Sequence, residues 1–205
     1  MKNRSLKQFK FEIIVKTPNM AEEKKTESKF VFFYSNGSPF SQWYPSRFTT
    51  KSVVAPQLNA NEYNCAEQYM MAEKALLFGD AMIYNKIMAQ VSPRKQKALG
   101  RKVRGFNEST WKKMRERIVF QASYAKFSQN PELLRKLMAT GDKTLVEASP
   151  TDRVWGVGMR ASDPGIHNPK NWRGLNLLGK ALTATRETIK EKQAVRKEND
   201  LDPQE

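Results

Sequence analysis

The stretch from Tyr63 to Phe78 constrains the fold more than any other part of this 205-residue chain. Its pattern of apolar and polar residues predicts one amphipathic helix, which ends near Gly79 because glycine readily ends a helix. The helix carries Glu67 and Lys74 seven residues apart. Seven residues are close to two turns, so both side chains leave the same face, roughly 10 Å apart along the axis. No salt bridge spans that distance, whereas a sugar-sized ligand fits between the two groups.

A carboxylate and an amine that point into one cleft suit acid–base chemistry or the formation of an imine. The alternative is an ordinary amphipathic helix that carries two solvated charges on its surface. The spacing of Glu67 and Lys74 alone leaves both interpretations open.

Composition limits the class of protein. The 205 residues suffice for one substantial domain, and 39% hydrophobic with 10% aromatic residues can supply a packed core. No apolar run approaches the roughly 20 residues of a membrane span, and the N-terminus lacks the apolar segment of a signal peptide. The single cysteine, Cys65, cannot form an intrachain disulfide, so we expect an intracellular location, cytoplasmic or nuclear. One cysteine and one histidine also exclude a His/Cys metal cluster.

The formal net charge of +15 favours anionic partners such as nucleic acid, phosphorylated metabolites or a membrane surface. Ten Lys and Arg residues fall between positions 94 and 117, against two glutamates. They form either a solvated helix face or a basic rim that attracts phosphates, and the sequence leaves both interpretations open.

The order of the elements predicts an α+β fold, mostly helical, in a single domain with a small β-sheet. Strands are predicted over 7–16, 29–35, 48–54 and 145–148. Helices are predicted over 63–78, 81–90, 93 to about 100–105, 111–129, 131–140 and 176–189. The chain is therefore divided into an N-terminal arm and polar loop (1–28), a domain (29–189) and a polar C-terminal tail (190–205).

Helix starts are predicted from capping residues. Ser92, followed by Pro93, is typical of a helix start. Ser109 or Thr110 is expected to cap the fourth helix, and Asn176 the last one.

A turn-rich segment that begins at Asp152 holds a second candidate site. An Asp in a Pro-Thr-Asp turn usually caps backbone groups. Trp155 beside Gly156 is less ordinary, because glycine permits close backbone approach and the indole offers a flat wall to a base or sugar. Trp43 lies in a predicted loop, where aromatic side chains often serve ligands, and Trp111 follows a helix start, where it lines either a cleft or the core. A structural role and a ligand wall both remain open for these residues.

Residues 174–181 match the letters of a phosphate-binding P-loop until the last position, where Ala181 lacks the hydroxyl that magnesium needs. No buried strand is predicted before them, so ATP binding is rejected. A weaker role stays open, because Gly174 and Asn176 precede a predicted helix whose free N–H groups could hold a phosphate.

Seven groups of residues, taken in order over positions 30–189, carry a specific pattern. They are Trp43-Tyr-Pro45, Asn64 to Lys74 with Gly79-Asp80, Trp111 with Arg117, Lys126 to Asn130, Leu137 to Gly141, Leu145 to Gly158, and Gly174 to Gly179 running to Arg186. Together they resemble the NADAR, or YbiA-like, family of N-glycosidases. No single segment decides the resemblance; their order along the chain makes it specific.

The resemblance implies an enzyme that cuts the C–N bond between ribose C1 and a nitrogenous base. It implies two substrate groups: ribosylamino-pyrimidine phosphates of the early riboflavin pathway, and ADP-ribose attached to guanine in DNA, RNA or nucleotide. We expect the second, with ADP-ribose as the product, because a net charge of +15 favours a nucleic-acid or diphosphate substrate. A non-catalytic ADP-ribose-binding module is a further alternative. The chemistry requires no metal or redox cofactor, and no membrane partner is expected.

By resemblance, the expected catalytic residues are Glu67, Lys74 and Asp152. Lys74 matches the family's helix lysine, to which attack on ribose C1 and a Schiff base with that carbon are attributed. The chemistry is consistent with this, because a carboxylate stabilises positive charge on the ribose and an unprotonated amine captures an aldehyde-level carbon. The expected substrate-binding residues are Trp43, Trp111, Trp155, Gly156, Asn176 and Arg117.

Overall fold

A computed structural model of the protein describes residues 28–201. The strands are β1 (Phe30–Phe33), β2 (Phe48–Thr50), β3 (Asn61–Tyr63) and β4 (Thr144–Glu147). The helices are α1 (Ala66–Leu77), α2 (Ala81–Met88), α3 (Pro93–Gly100), α4 (Glu108–Gln129), α5 (Pro131–Met138) and α6 (Leu177–Leu201). Short 3-10 helices cover Pro164–His167 and Pro169–Asn171. This arrangement confirms the predicted α+β class, mostly helical, in a single domain.

The four strands of the described region form two separate pairs. β1 and β4 run parallel, with Phe33 opposite Glu147, so both strands end on the same side of the pair. β2 and β3 run antiparallel, with Phe48 opposite Tyr63. β3 was not predicted, because three residues with one aromatic side chain are too few to show a strand period.

Helix α1 lies at the centre of the core. It packs against α2, α3 and α4, and α4 in turn packs against α6. Nine of its 12 residues are buried, and Tyr69, Ala72 and Ala75 have no exposed surface. Glu67 and Glu73 are buried with them, so the predicted amphipathic helix is enclosed on most of its circumference.

The start of α4 corrects a prediction. The cap is Asn107, whose Oδ1 accepts the backbone N–H of Thr110 at 2.9 Å. Ser109 and Thr110 both lie inside the helix, because the Asn107 carboxamide takes the capping position first. Ser92 does occupy the predicted N-cap position of α3, although its hydroxyl makes no capping hydrogen bond.

Helix α6 is longer than predicted. It runs to Leu201, so the described part of the 190–205 segment is helical, and the predicted helix end at Ile189 falls inside it. The predicted strand at 7–16 and all but the last residue of the predicted loop at 17–28 lie outside the described residues. None of the helices within 28–201 has the apolar length that spanning a bilayer demands.

The start of α6 packs closely against β4. Asn176 has a φ of 53°, and its side chain bridges to the strand. Its Oδ1 accepts the N–H of Glu147 at 3.0 Å, and its Nδ2 donates to the carbonyl oxygen of Leu145 at 2.9 Å. At Gly179, an added Cβ would lie 2.1 Å from that same carbonyl oxygen. Only glycine fits there, and this close contact fixes the end of β4 against the helix.

We expect Gly179→Ala to lower the free energy of unfolding by about 1–3 kcal/mol, because the added methyl group would push α6 away from β4. Gly37→Ala is the matched control: Gly37 is exposed, and an added Cβ would have only Ser35 Oγ nearby, at 3.8 Å. Denaturant unfolding measures both variants. A loss at position 179 no larger than that at position 37 would show that this contact does not hold the strand.

Candidate active site

A cavity of about 930 Å³ lies alongside α1, at the carboxyl ends of the parallel strands β1 and β4. Residues from α3, α4 and the segment after β4 complete its walls. Its cations are Lys74, Lys97, Arg101 and Arg115, and its carboxyl groups belong to Glu67, Glu108, Glu147 and Asp152. Ligands commonly bind beyond the carboxyl ends of parallel strands, so the fold itself favours a binding site here.

The structure brings six of the nine predicted site residues to this cavity. They are Glu67, Lys74, Asp152, Trp43, Trp111 and Trp155. The seven-residue spacing on α1 therefore does direct a carboxylate and an amine into one cavity, and the surface-helix interpretation does not hold for this pair.

Glu67, in the first turn of α1, is only 2% exposed. Its Oε2 accepts the indole N–H of Trp43 at 3.1 Å, and its backbone N–H donates to the carbonyl of Gln42 at 3.0 Å. Oε1 is buried without a hydrogen-bond partner among the described residues. Burial raises the pKa of Glu67 to about 7; Lys97 and the Trp43 hydrogen bond oppose the rise, and Asp152 adds to it. This carboxyl group can therefore hold or release a proton near neutral pH.

Lys74 lies partly buried among aromatic rings. Its Nζ is 4.1 Å from the ring centroid of Phe106 and 5.7 Å from that of Trp111. Burial lowers the pKa of its ammonium group; Glu108 opposes this change, and the charge of Arg101 adds to it. A larger fraction of this lysine is therefore a neutral amine, the nucleophilic form, than of an ordinary surface lysine.

Asp152 caps a turn and also lines the cavity. Its Oδ1 accepts the backbone N–H groups of Val154 at 2.9 Å and Trp155 at 2.8 Å. Its own N–H donates to Ser149 Oγ at 3.1 Å. These bonds form the predicted capping turn, and the same turn fixes the backbone of Trp155, so Asp152 caps the turn and also lines the cavity.

Glu147 was missed as a site residue by the sequence analysis, yet it lines the cavity at the end of β4. Its Oε2 is shielded from solvent and has no hydrogen-bond partner in the described part of the chain. Burial raises the pKa of Glu147 to about 7, with further rises from Asp152 and Glu67 and an opposing effect from Lys97. The available signal was its position at the end of a predicted strand, where α/β folds place ligand-binding groups.

Arg117 lies on the exposed surface of α4 and does not line the cavity. Arg115 lines it instead; this side chain is 7% exposed and its Nε has no hydrogen-bond partner among residues 28–201. The reason is helical periodicity. Arg115 follows Trp111 by four residues and shares its face, whereas Arg117 follows by six and points elsewhere.

Gly156 and Asn176 support the site without lining it. A Cβ at Gly156 would lie 2.8 Å from the carbonyl oxygen of Glu147, so the glycine allows two backbone segments to meet rather than a ligand to approach. The amide side chain of Asn176 is engaged by β4. The first N–H groups of α6 are occupied as well, for example that of Leu178, which donates to the carbonyl of Trp155 at 3.1 Å. The expectation of a phosphate site at this helix start fails because protein carbonyls take its donors.

Of the ten Lys and Arg residues between 94 and 117, the three that line the cavity are Lys97, Arg101 and Arg115. Lys97 also places its Nζ 5.8 Å from the ring centroid of Trp43, which itself bonds to Glu67. The basic segment is therefore in part a rim of the cavity. Among the described residues, no cluster of His, Cys, Asp and Glu is arranged to hold a metal ion.

The sequence and the fold were compared with known proteins. The family model of the NADAR domain matches residues 31–190. The chain belongs to the NADAR family. The predicted resemblance is thereby confirmed.

Relatives of this NADAR protein match over most of its length. An N-glycosidase of Acanthamoeba polyphaga mimivirus is 47% identical over 78% of this chain and 95% of its own length. The protein irg-1 of Caenorhabditis elegans is 38% identical over 78% of this chain and 79% of its own. The solved structure of E. coli YbiA has a TM-score of 0.63 and 25% identity, and covers 82% of this chain and 88% of its own. More distantly, a riboflavin biosynthesis protein of Zea mays is 28% identical, with 26% of its length matched.

We expect Glu67→Gln to make this NADAR protein more stable relative to the wild type at pH 8 than at pH 4. Between the ordinary pKa of 4.5 and the raised value of about 7, the folded protein keeps a proton that the unfolded chain releases. The free energy of unfolding therefore falls as pH rises through this window, by up to about 3 kcal/mol for this one group. Glutamine removes that contribution.

Unfolding measured from pH 4 to pH 8 tests this expectation, with Glu116→Gln as the control because Glu116 is exposed on α4. An identical pH dependence in wild type and Glu67→Gln would show that the Glu67 carboxyl is ionised in the folded protein at ordinary pH values.

Proposed function

We propose that this NADAR protein is an N-glycosidase that hydrolyses the bond between ribose C1 and a base nitrogen, removing ADP-ribose from guanine in DNA, RNA or nucleotide. ADP-ribose would be the product. The observation that carries the proposal is the joint placement of the Glu67 carboxyl and the Lys74 amine in one cavity. The name of the mimivirus relative supports the reaction class.

The Glu67 carboxylate suits the electrostatic demand of this reaction. Breaking a C1–N bond develops positive charge on the ribose, and a buried carboxylate stabilises that charge far more than an exposed one. Its indole partner, Trp43, holds one carboxyl oxygen in place, and the other, Oε1, has no hydrogen-bond partner among residues 28–201. The site is thus arranged before the substrate binds, which is how electrostatic catalysis avoids reorganisation during the reaction.

Lys74 suits a covalent route. Its neutral amine would add to ribose C1 while the C1–N bond breaks and its electron pair departs with the base nitrogen, which takes a proton from a carboxyl group. The ribose ring then opens to an iminium between C1 and Lys74 Nζ, with the amine proton passing to the ring oxygen. Water adds to the iminium carbon, and departure of the amine restores Lys74 and frees the sugar. The partly buried setting that lowers the pKa of Lys74 provides the neutral amine for the first step.

The other lining residues favour a phosphorylated substrate with a flat base. The Nε of Arg115 is buried without a hydrogen-bond partner among the described residues, and a bound phosphate would supply one. Lys97 and Arg101 add two further cations to the same cavity. The indoles of Trp43, Trp111 and Trp155 also line it and offer surfaces for stacking with a base. ADP-ribose has both a diphosphate and an aromatic base, so it matches this lining.

Trapping with borohydride tests the covalent route. We expect the wild-type protein, mixed with ADP-ribose and borohydride, to gain one ADP-ribose adduct by intact mass, because borohydride reduces an imine to a stable amine. Lys74→Ala should give no adduct, while Lys95→Ala, which removes an exposed lysine of α3, should react like the wild type. Tight binding of ADP-ribose without an adduct in any of the three proteins would favour a non-catalytic binding module.

Release assays identify the substrate. We expect ADP-ribose to be released from ADP-ribosylated guanine in DNA, RNA or free nucleotide, tested in parallel, with turnover about a hundredfold lower or more in Glu67→Gln. Glu116→Gln is again the control and should retain wild-type turnover. No release from any of the three substrates would contradict the proposal.

A second candidate is hydrolysis of ribosylamino-pyrimidine phosphates. The riboflavin-biosynthesis name of the Zea mays relative favours it, and the cavity's cations would serve its single phosphate equally well. The same assay with such a substrate separates the two candidates: a higher kcat/KM on the pyrimidine phosphate than on any guanine adduct would make this the function.

A further inference from the structure

We infer that Glu147 is a further catalytic residue of this site, the general acid that protonates the departing base, while Glu67 acts as the carboxylate that stabilises the ribose. The inference rests on the N-glycosidase function proposed above. It gives the proton transfers to one carboxyl group and the stabilisation of the ribose charge to another, and the two come from different elements of the fold.

The backbone at Glu147 is held on both sides. Its N–H donates to Asn176 Oδ1 at 3.0 Å, and its carbonyl oxygen accepts the N–H of Val157 at 2.9 Å. Gly156 approaches the same carbonyl so closely that a Cβ there would lie 2.8 Å away. A proton donor must keep its position through the reaction, and a strand end fixed in this way meets that requirement better than a loop.

Strand alternation sends the Glu147 side chain to the cavity side. Side chains two residues apart on a strand share a face. Leu145 packs in the main hydrophobic core around α1, whereas Val146 packs in a separate small cluster with Ile166. Glu147 therefore leaves β4 on the face of Leu145, and it lines the cavity together with Glu67.

Asp152 is less suited to donate the proton. Its Oδ1 accepts two backbone N–H groups of its own turn, and those bonds require an acceptor rather than a proton donor at that oxygen. By contrast, the side chain of Glu147 makes no hydrogen bond through Oε2 to any described residue, although this oxygen is shielded from solvent. A proton on Glu147 is therefore free to be directed at a ligand.

Burial, together with nearby carboxyl groups, raises the pKa of Glu147 to about 7 and so favours its protonated form below that pH. Glu67 on α1 and Asp152 in the turn both disfavour its ionised form, while Lys97 on α3 favours it. The other charged groups of the same cavity are Lys74, Arg101, Glu108 and Arg115. Because carboxyl groups that line one cavity resist ionising together, one of them can hold a proton while another is a carboxylate, as the reaction requires.

Glu147 loses its proton and regains one within each turnover. It moves from Glu147 to the base nitrogen as the electron pair of the C1–N bond leaves with that nitrogen. Glu147 is left as a carboxylate, which takes a proton from the water that adds to the iminium carbon, while the hydroxyl of that water stays on C1. One water is consumed, and both Glu147 and Lys74 return to their starting forms.

The test compares Glu147→Gln with the wild type and with Glu116→Gln on ADP-ribosylated guanine between pH 5 and pH 9. We expect kcat to fall about a hundredfold or more in Glu147→Gln, with little change in KM or melting temperature. In the wild type, activity should decline as pH rises past the pKa of Glu147, about 7, and that decline should be absent from the variant's residual activity. The borohydride adduct with free ADP-ribose, which needs no departing base, should still form in Glu147→Gln.

The outcomes separate this inference from the function on which it rests. If the wild-type protein releases no ADP-ribose, both the proposed N-glycosidase function and the role of Glu147 are overturned. An active wild type with a Glu147→Gln variant that keeps more than about a tenth of kcat and the same pH profile would overturn the role of Glu147 alone. A lost adduct together with a large drop in melting temperature would assign Glu147 to the fold and overturn the inference as well.

Discussion

The burial of the Glu67 carboxyl at the start of α1 is the constraint on which the rest of the site depends. A carboxyl group in the core is costly, and within the described part of the chain one of its oxygens has a partner, the indole of Trp43, while the other has none. Packing of α1 against α2, α3 and α4 leaves the cavity as the open side of this helix. Lys74 lies two turns further along the same face of α1 and therefore reaches the same cavity. The protein gives up some stability to hold two side chains with shifted pKa values there.

The opposite wall depends on a different contact, the one between β4 and the start of α6. Asn176 and Gly179 bring the helix against the strand, and Gly156 brings in the turn that carries Asp152. None of the three lines the cavity, yet each sets the position of a group that does. Gly156 and Asn176, which the family resemblance assigned to substrate binding, thus act on the backbone rather than on the cavity lining.

The sequence predicted what depends on local periodicity. The spacing of Glu67 and Lys74 on α1 follows from 3.6 residues per turn, and the same rule would have selected Arg115 rather than Arg117 from the position of Trp111. The position of Glu147 near the end of a predicted strand was the available signal, but its place in one cavity with Glu67 and Lys97 arises from segments that lie far apart in the chain. The roles of Gly156 and Asn176 were also hidden, since both arise from backbone contacts between distant segments.

The most direct test of the central claim is a crystal structure of the protein reduced with borohydride in the presence of ADP-ribose. We expect a covalent bond between Lys74 Nζ and C1 of the ribose, with a Glu67 carboxyl oxygen within about 2.6–3.2 Å of a polar atom of that sugar. Its adenine should stack on a lining indole, and its diphosphate should contact Arg115. Sugar attached to another lysine, or bound with C1 remote from Glu67, would contradict the claim that these two side chains act together on one carbon.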